Sequence, residues 1–133
     1  SFVQTGLCKL SFNEEDFVTC HLDLVPGNFI ILDSGEARII DWEYAANAPR
    51  LLEFASLFAT VIVDSAVEKD LLTQYDRTLD AKKWKEFLLL KRAMNFYWYL
   101  WSEWQYLYHP EQTVYLDFAR FYLSHIMLDE TCG

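Results

Sequence analysis

Cys20-His21-Leu22-Asp23-Leu24-Val25-Pro26-Gly27-Asn28-Phe29-Ile30-Ile31-Leu32 is followed, one polar turn later, by Ala37-Arg38-Ile39-Ile40-Asp41-Trp42-Glu43-Tyr44. The fold follows from this stretch. Phe17-Val18-Thr19-Cys20 has the β-branched and aromatic content of a short strand. Pro26-Gly27 marks residues 21–28 as a loop. Phe29–Leu32 and Ala37–Ile40 are apolar runs of strand length, and Asp33-Ser34-Gly35-Glu36 between them is turn chemistry. The two runs therefore form a hairpin that ends at Asp41.

Beyond the hairpin the periodicity turns helical. Asn47-Ala48-Pro49 predicts a helix start, with proline near the first turn. Leu51, Leu52, Ala55, Leu57, Phe58, Val61 and Ile62 form its buried side. A shorter helix is expected within residues 64–80. Residues 81–108 contain neither Gly nor Pro and predict one long helix, stopped by His109-Pro110. A last helix is expected over residues 114–128. Residues 1–12 fit no single element. A hairpin followed by helices, without internal repeats, makes this an α+β chain dominated by helix, read as one domain over 1–133.

Composition narrows the function. With 53% hydrophobic and 23% charged residues the chain is globular. A formal net charge of −9 excludes a phosphate-backbone partner, which requires clustered Lys and Arg, and is compatible with a cationic substrate. Cys8, Cys20 and Cys132 form no paired framework and no zinc-ligand spacing. Cys20 beside His21 is not a nucleophile–base pair, because adjacent side chains on an extended segment point to opposite faces. No apolar run reaches membrane-spanning length and no signal peptide is visible, so the expected setting is cytoplasmic, with no membrane partner.

The loop pattern is H-x-D-x-x-x-x-N, then a hairpin, then an Asp at its end. Phosphoryl transfer needs a carboxylate to orient and deprotonate the attacking hydroxyl, and hard oxygen ligands to hold Mg²⁺ on nucleotide phosphates. An Asp and an Asn five positions apart on a tight loop can face one cavity, and the hairpin brings Asp41 beside them.

This segment resembles the catalytic and metal-binding motifs of the aminoglycoside phosphotransferase and choline kinase superfamily, whose fold is similar to that of protein kinases. The resemblance covers the chain from about Phe17 onward. It implies that Asp23 is the catalytic base, that Asn28 and Asp41 hold Mg²⁺ and thereby ATP, and that His21 braces the loop. Asp41-Trp42-Glu43-Tyr44 is similar to the D-F-E-Y stretch of choline and ethanolamine kinases. The family's loop-supporting Asp falls on Glu53. A Glu that choline kinases place near the substrate ammonium falls on Thr60, so that charge would come from Asp64 or Glu43.

The aromatic run Phe96-Tyr97-Trp98-Tyr99-Leu100-Trp101 admits two readings. Trp98 and Trp101 share a helix face, and helix aromatics are commonly core; Tyr97, Trp104 and Tyr108 are read as core. The run Trp98-Tyr99-Leu100-Trp101-Ser102 also resembles a choline kinase helix whose two tryptophans line the choline pocket, and Phe118 matches an aromatic on the next helix. Ring faces suit a quaternary ammonium, which has no hydrogen to donate.

The resemblance implies the C-terminal lobe of an ATP-dependent kinase that phosphorylates choline or a related amino alcohol. An aminoglycoside phosphotransferase and a non-catalytic kinase-like interaction domain are the alternatives. The family's N-terminal lobe, with its strand lysine and phosphate-covering loop, has no counterpart in the sixteen residues before Phe17. The chain is expected to be incomplete and inactive alone, with an exposed lobe face prone to self-association.

Overall fold

The computed structural model describes Leu10 and residues 12–128. Cys8, Cys132 and most of the ambiguous N-terminal stretch lie outside the described residues. The chain divides into two compact units, 1–91 and 92–133.

The first unit opens with a 3-10 turn, Glu14–Asp16, and strand β1, Phe17–Cys20. A second 3-10 turn, Pro26–Asn28, leads into β2, Phe29–Ile31, which pairs antiparallel with β3, Ala37–Ile39. Gly35 closes this hairpin at φ +82°, a conformation that costs other residues steric energy, and its N–H donates to Leu32 O at 2.8 Å. The hairpin's apolar residues are not buried within the chain: Ile31 is 67% exposed, and Ile30, Leu32, Ile39 and Ile40 are also exposed.

β4, Ala46–Pro49, pairs antiparallel with β1, with Cys20 opposite Ala46 and Phe17 opposite Pro49. The predicted helix start at Asn47-Ala48-Pro49 is therefore corrected. These residues are extended, and helix α1, Arg50–Thr60, begins only after Pro49. Proline disfavours helical backbone in the residue before it, and the strand partners of residues 46–49 lie in residues 17–20, too far along the chain to leave a local signal. Ala55 and Phe58 are buried as expected. Ile62 is not: it lies past the end of α1 and is 69% exposed.

Helix α2, Ser65–Tyr75, is capped by Asp64, whose carboxylate accepts from Ala66 N at 2.7 Å. Helix α3, Ala81–Tyr108, and helix α4, Val114–Leu128, have the predicted extents. Core packing in the first unit joins α1 to the start of α3, with Phe58 edge-on to Phe87 at 6.0 Å and Trp84 stacked on Phe87 at 5.2 Å. Glu68 of α2 is buried and forms an ion pair with Lys91 of α3. In the second unit the Arg92 guanidinium donates to Ile126 O at 3.1 Å, tying α3 to α4. Among the described residues no helix is long and apolar enough to cross a membrane.

Asp76, at the end of α2, accepts from Lys83 Nζ at 2.8 Å and from Thr78 Oγ1 at 2.6 Å. These bonds, Lys83 first, lower its pKa to about 2. A depressed carboxylate stabilises the fold above its unfolded pKa and loses that contribution as pH falls toward the folded value. Between about pH 4 and pH 2 the loss is expected to be on the order of 1–2 kcal/mol. Lys83→Met should flatten this part of the stability–pH curve. Identical slopes for the two proteins would remove the pair from the explanation.

Candidate active site

β1 ends at Cys20, so the next two backbone N–H groups have no strand partner. Glu53 of α1 takes both: Oε1 accepts from His21 N at 2.8 Å and Oε2 from Leu22 N at 2.9 Å. Leu22 has φ +65°, a left-handed conformation that costs a branched residue about 1 kcal/mol or more. Ser56, one turn beyond Glu53, holds the other side of that residue by donating to Leu22 O at 2.9 Å. Thus α1 grips both the N–H and the C=O of the strained position. Neither Ser56 nor the strain at Leu22 was visible from the loop motif. The i, i+3 spacing of Glu53 and Ser56 on one helix face was the available signal.

His21 is 1% exposed. Its Nδ1 accepts from Asp23 N at 3.2 Å, and its Nε2 lies 2.8 Å from Ile40 O. A carbonyl can only accept, so this pair of contacts requires the tautomer with hydrogen on Nε2. The ring thereby ties the loop to the end of the hairpin. Trp42 packs edge-on to it at 4.7 Å and donates Nε1–H to Ile39 O at 3.1 Å.

Asn28 is buried, and its Nδ2 donates to Asp23 O at 2.8 Å and to Asp23 Oδ2 at 3.0 Å. Both amide hydrogens are used on Asp23, which turns Oδ1 away from it as an available hard ligand. The Asn28 backbone O accepts from Ile40 N at 3.0 Å, so Asp41 follows directly on the residue bonded to Asn28. Asp41 is exposed and has φ +64°, a conformation Asp tolerates better than most residues. Glu43 is exposed on the turn that follows. One amide oxygen and one exposed carboxylate fit Mg²⁺, which keeps waters and takes phosphate oxygens for its remaining ligands. Among the described residues no three His, Cys, Asp or Glu side chains form a self-sufficient metal cluster.

Cys20 is fully buried, and burial, followed by the nearby Glu53 charge, pushes its thiol pKa up. A thiol held in its protonated form is a poor nucleophile, in line with the sequence reading. Thr60 donates to Leu57 O at 2.9 Å and lies 3.4 Å from Leu24 O. Thr60 itself carries no charge, and Asp64 is exposed with its Oδ1 capping α2 at Ala66 N.

The aromatic residues lie in the second unit. Trp98 and Trp101 are in edge-to-face contact at 5.7 Å, and Trp101 meets Tyr115 of α4 at 5.8 Å. Tyr115 in turn meets Phe118 at 6.5 Å. Tyr115, which sequence reasoning passed over, therefore stands between Trp101 and Phe118; its i, i+3 spacing to Phe118 was the signal. Trp98 is buried and Phe118 is exposed. The core assignment of Tyr97, Trp104 and Tyr108 is corrected: they are 45%, 55% and 63% exposed. A helix crowded with rings on every side cannot bury them all against one neighbour. Trp104→Ala is accordingly a surface substitution, not a core one.

A sequence profile described as the phosphotransferase enzyme family matches residues 7–90. No curated protein matches the chain. Among solved structures, a choline kinase from Streptococcus pneumoniae is similar with a TM-score of 0.68 and 25% identity over 95% of this chain and 44% of its own. An ethanolamine kinase from Plasmodium vivax is similar with a TM-score of 0.68 and 21% identity over 95% of this chain and 37% of its own. The chain thus spans less than half the length of these solved relatives. Mostly helical, with two small antiparallel sheets, it has part of a protein-kinase-like fold.

Proposed function

The chain belongs to the phosphotransferase enzyme family, and on that premise we propose that it carries the catalytic loop of an ATP-dependent kinase acting on a small amino alcohol of the choline or ethanolamine kind. The observation that carries this reading is the Glu53-braced loop that joins Asp23 to Asn28 and sets Asp41 directly after the residue bonded to Asn28.

In this reading Asp23 orients the substrate hydroxyl and accepts its proton as the oxygen attacks the γ-phosphorus. One Asn28 amide hydrogen holds the Asp23 carboxylate and the other its backbone carbonyl, so that one carboxylate oxygen stays aimed at the hydroxyl. Asn28 Oδ1 and Asp41 would hold Mg²⁺, which when bound neutralises charge on the phosphate oxygens. His21 sets the distance between the loop and the hairpin end, and so between base and metal ligands. Among the described residues the four strands carry no lysine. The phosphate-clamping lysine and covering loop of kinase chemistry would then come from polypeptide outside these residues, docked on the exposed apolar hairpin.

The row of Trp98, Trp101, Tyr115 and Phe118 supports an alkylammonium head group. With no carboxylate at Thr60, recognition would rest on ring faces, each contact worth roughly 0.5–2 kcal/mol, with Asp64 or Glu43, both exposed, as the source of negative charge. The test is ATP- and Mg²⁺-dependent phosphorylation of choline, ethanolamine and an aminoglycoside by an active preparation containing this chain. Choline or ethanolamine is expected to be preferred. Trp101→Ala is expected to raise the KM for that substrate roughly five- to thirty-fold while leaving the KM for ATP nearly unchanged. Preference for the aminoglycoside, or an unchanged KM, would overturn the substrate assignment.

A further inference from the structure

A cavity of about 230 Å³ lies in the first unit where the starts of α1 and α3 come together. Its wall includes Pro49 from the end of β4, Arg50 and Leu51 from α1, and Lys82, Lys83 and Glu86 from α3. It shares no residue with the catalytic loop. Two buried side-chain atoms in this wall have no hydrogen-bond partner: Arg50 Nε, a donor, and Glu86 Oε1, an acceptor. Glu86 is 7% exposed. It forms an i, i+4 ion pair with Lys82 Nζ at 3.7 Å, a separation beyond hydrogen-bond reach.

The other carboxylates of the wall are already engaged. Asp76 is bonded to Lys83 and Thr78, Asp80 accepts from Lys83 N at 2.8 Å, and Asp16 accepts from Asn13 N at 2.8 Å. The Arg50 guanidinium has a bond to a backbone carbonyl, Glu15 O, but no ion pair with a carboxylate among the described residues. Pro49 offers α1 no side-chain cap, so the partial positive charge of that helix start adds to Arg50. The wall therefore offers an unsatisfied cationic donor at Arg50 and an unsatisfied carboxylate oxygen at Glu86. A bare anion would face Glu86, and a bare cation would face Arg50.

The geometry points to a binding site for a small zwitterion of the α-amino acid type, its carboxylate on Arg50 Nε and its ammonium on Glu86 Oε1. The volume equals several waters at about 30 Å³ each, enough for such a molecule. Arg50 lies one turn before Glu53, so an occupant would sit close in the helix to the carboxylate that braces the catalytic loop.

The test is calorimetric titration of the chain with L-alanine, and separately with propionate and ethylamine, each of which carries half of the chemistry. L-alanine is expected to bind at least about ten-fold more tightly than either half-ligand, because it makes both charged hydrogen bonds. Arg50→Gln and Glu86→Gln are each expected to weaken it roughly ten- to a hundred-fold. Arg50→Lys keeps the charge and lacks Nε, and serves where the Gln variant loses its fold by circular dichroism; it is expected to weaken binding as well. Absence of saturable alanine binding would mean that the cavity holds water only, and would overturn the site. So would half-ligands that bind as tightly as L-alanine, or variants that bind like the parent chain.

Discussion

Asp23→Asn, in an active phosphotransferase containing this chain, is expected to lower kcat by roughly 10²–10⁴-fold, the usual contribution of a positioned general base. The substitution is nearly isosteric. Its remaining carbonyl oxygen can still accept from Asn28 Nδ2, which lies 3.0 Å from Asp23 Oδ2. The loop and the melting temperature should therefore change little, and KM values should stay near those of the parent. Turnover within ten-fold of the parent would take proton acceptance away from Asp23 and leave it a positioning role. Asp41→Asn is the matched control at the other end of the hairpin. Asn tolerates the left-handed backbone found there at φ +64° and keeps a hard oxygen, whereas Ala would add backbone strain to the loss of the ligand.

Glu53→Ala is expected to destabilise the chain by about 3 kcal/mol, since two charge-assisted hydrogen bonds are worth roughly 1.5–3 kcal/mol each and overlap in what they hold. The change orphans His21 N and Leu22 N and releases the strain at Leu22. Activity should fall even at temperatures where the variant is folded, because Asp23 is the next residue along. Glu53→Gln retains one acceptor oxygen but turns an NH₂ toward the second N–H, so it should recover part of the stability only. Urea unfolding of the three proteins measures this. A loss below about 1 kcal/mol in Glu53→Ala would mean that water replaces the carboxylate and that α1 does not brace the loop.

Much of this architecture was legible in local sequence. The hairpin was legible because its turn needs Gly35 and its strands are short apolar runs. Helix α3 ended where His109-Pro110 stops it, and α4 followed as expected. Asp23, Asn28 and Asp41 stood out as candidates because phosphoryl transfer needs a carboxylate and hard oxygen ligands, and His21 stood out through the family resemblance. Glu53 was legible only through the family resemblance, since a glutamate on a helix has no local signature of what it holds.

Other features depended on contacts between distant segments. Strand β4 exists because β1 offers it an edge across the intervening loop and hairpin, and no window of residues 46–49 carries that information. The left-handed Leu22 is paid for by Glu53 and Ser56 together, which only the docking of α1 beneath the loop allows. The aromatic run of α3 was ambiguous in sequence because rings occur on every side of the helix. Which of them are buried depends on what each side packs against: Trp98 is enclosed, Trp104 faces solvent, and Tyr115 joins the row from α4. Local chemistry thus determined the hairpin, the helices and the candidate site residues, because backbone propensity and side-chain type act over a few residues. Burial, long-range pairing and strain were decided by the tertiary structure, because each depends on atoms that meet only once the chain has folded.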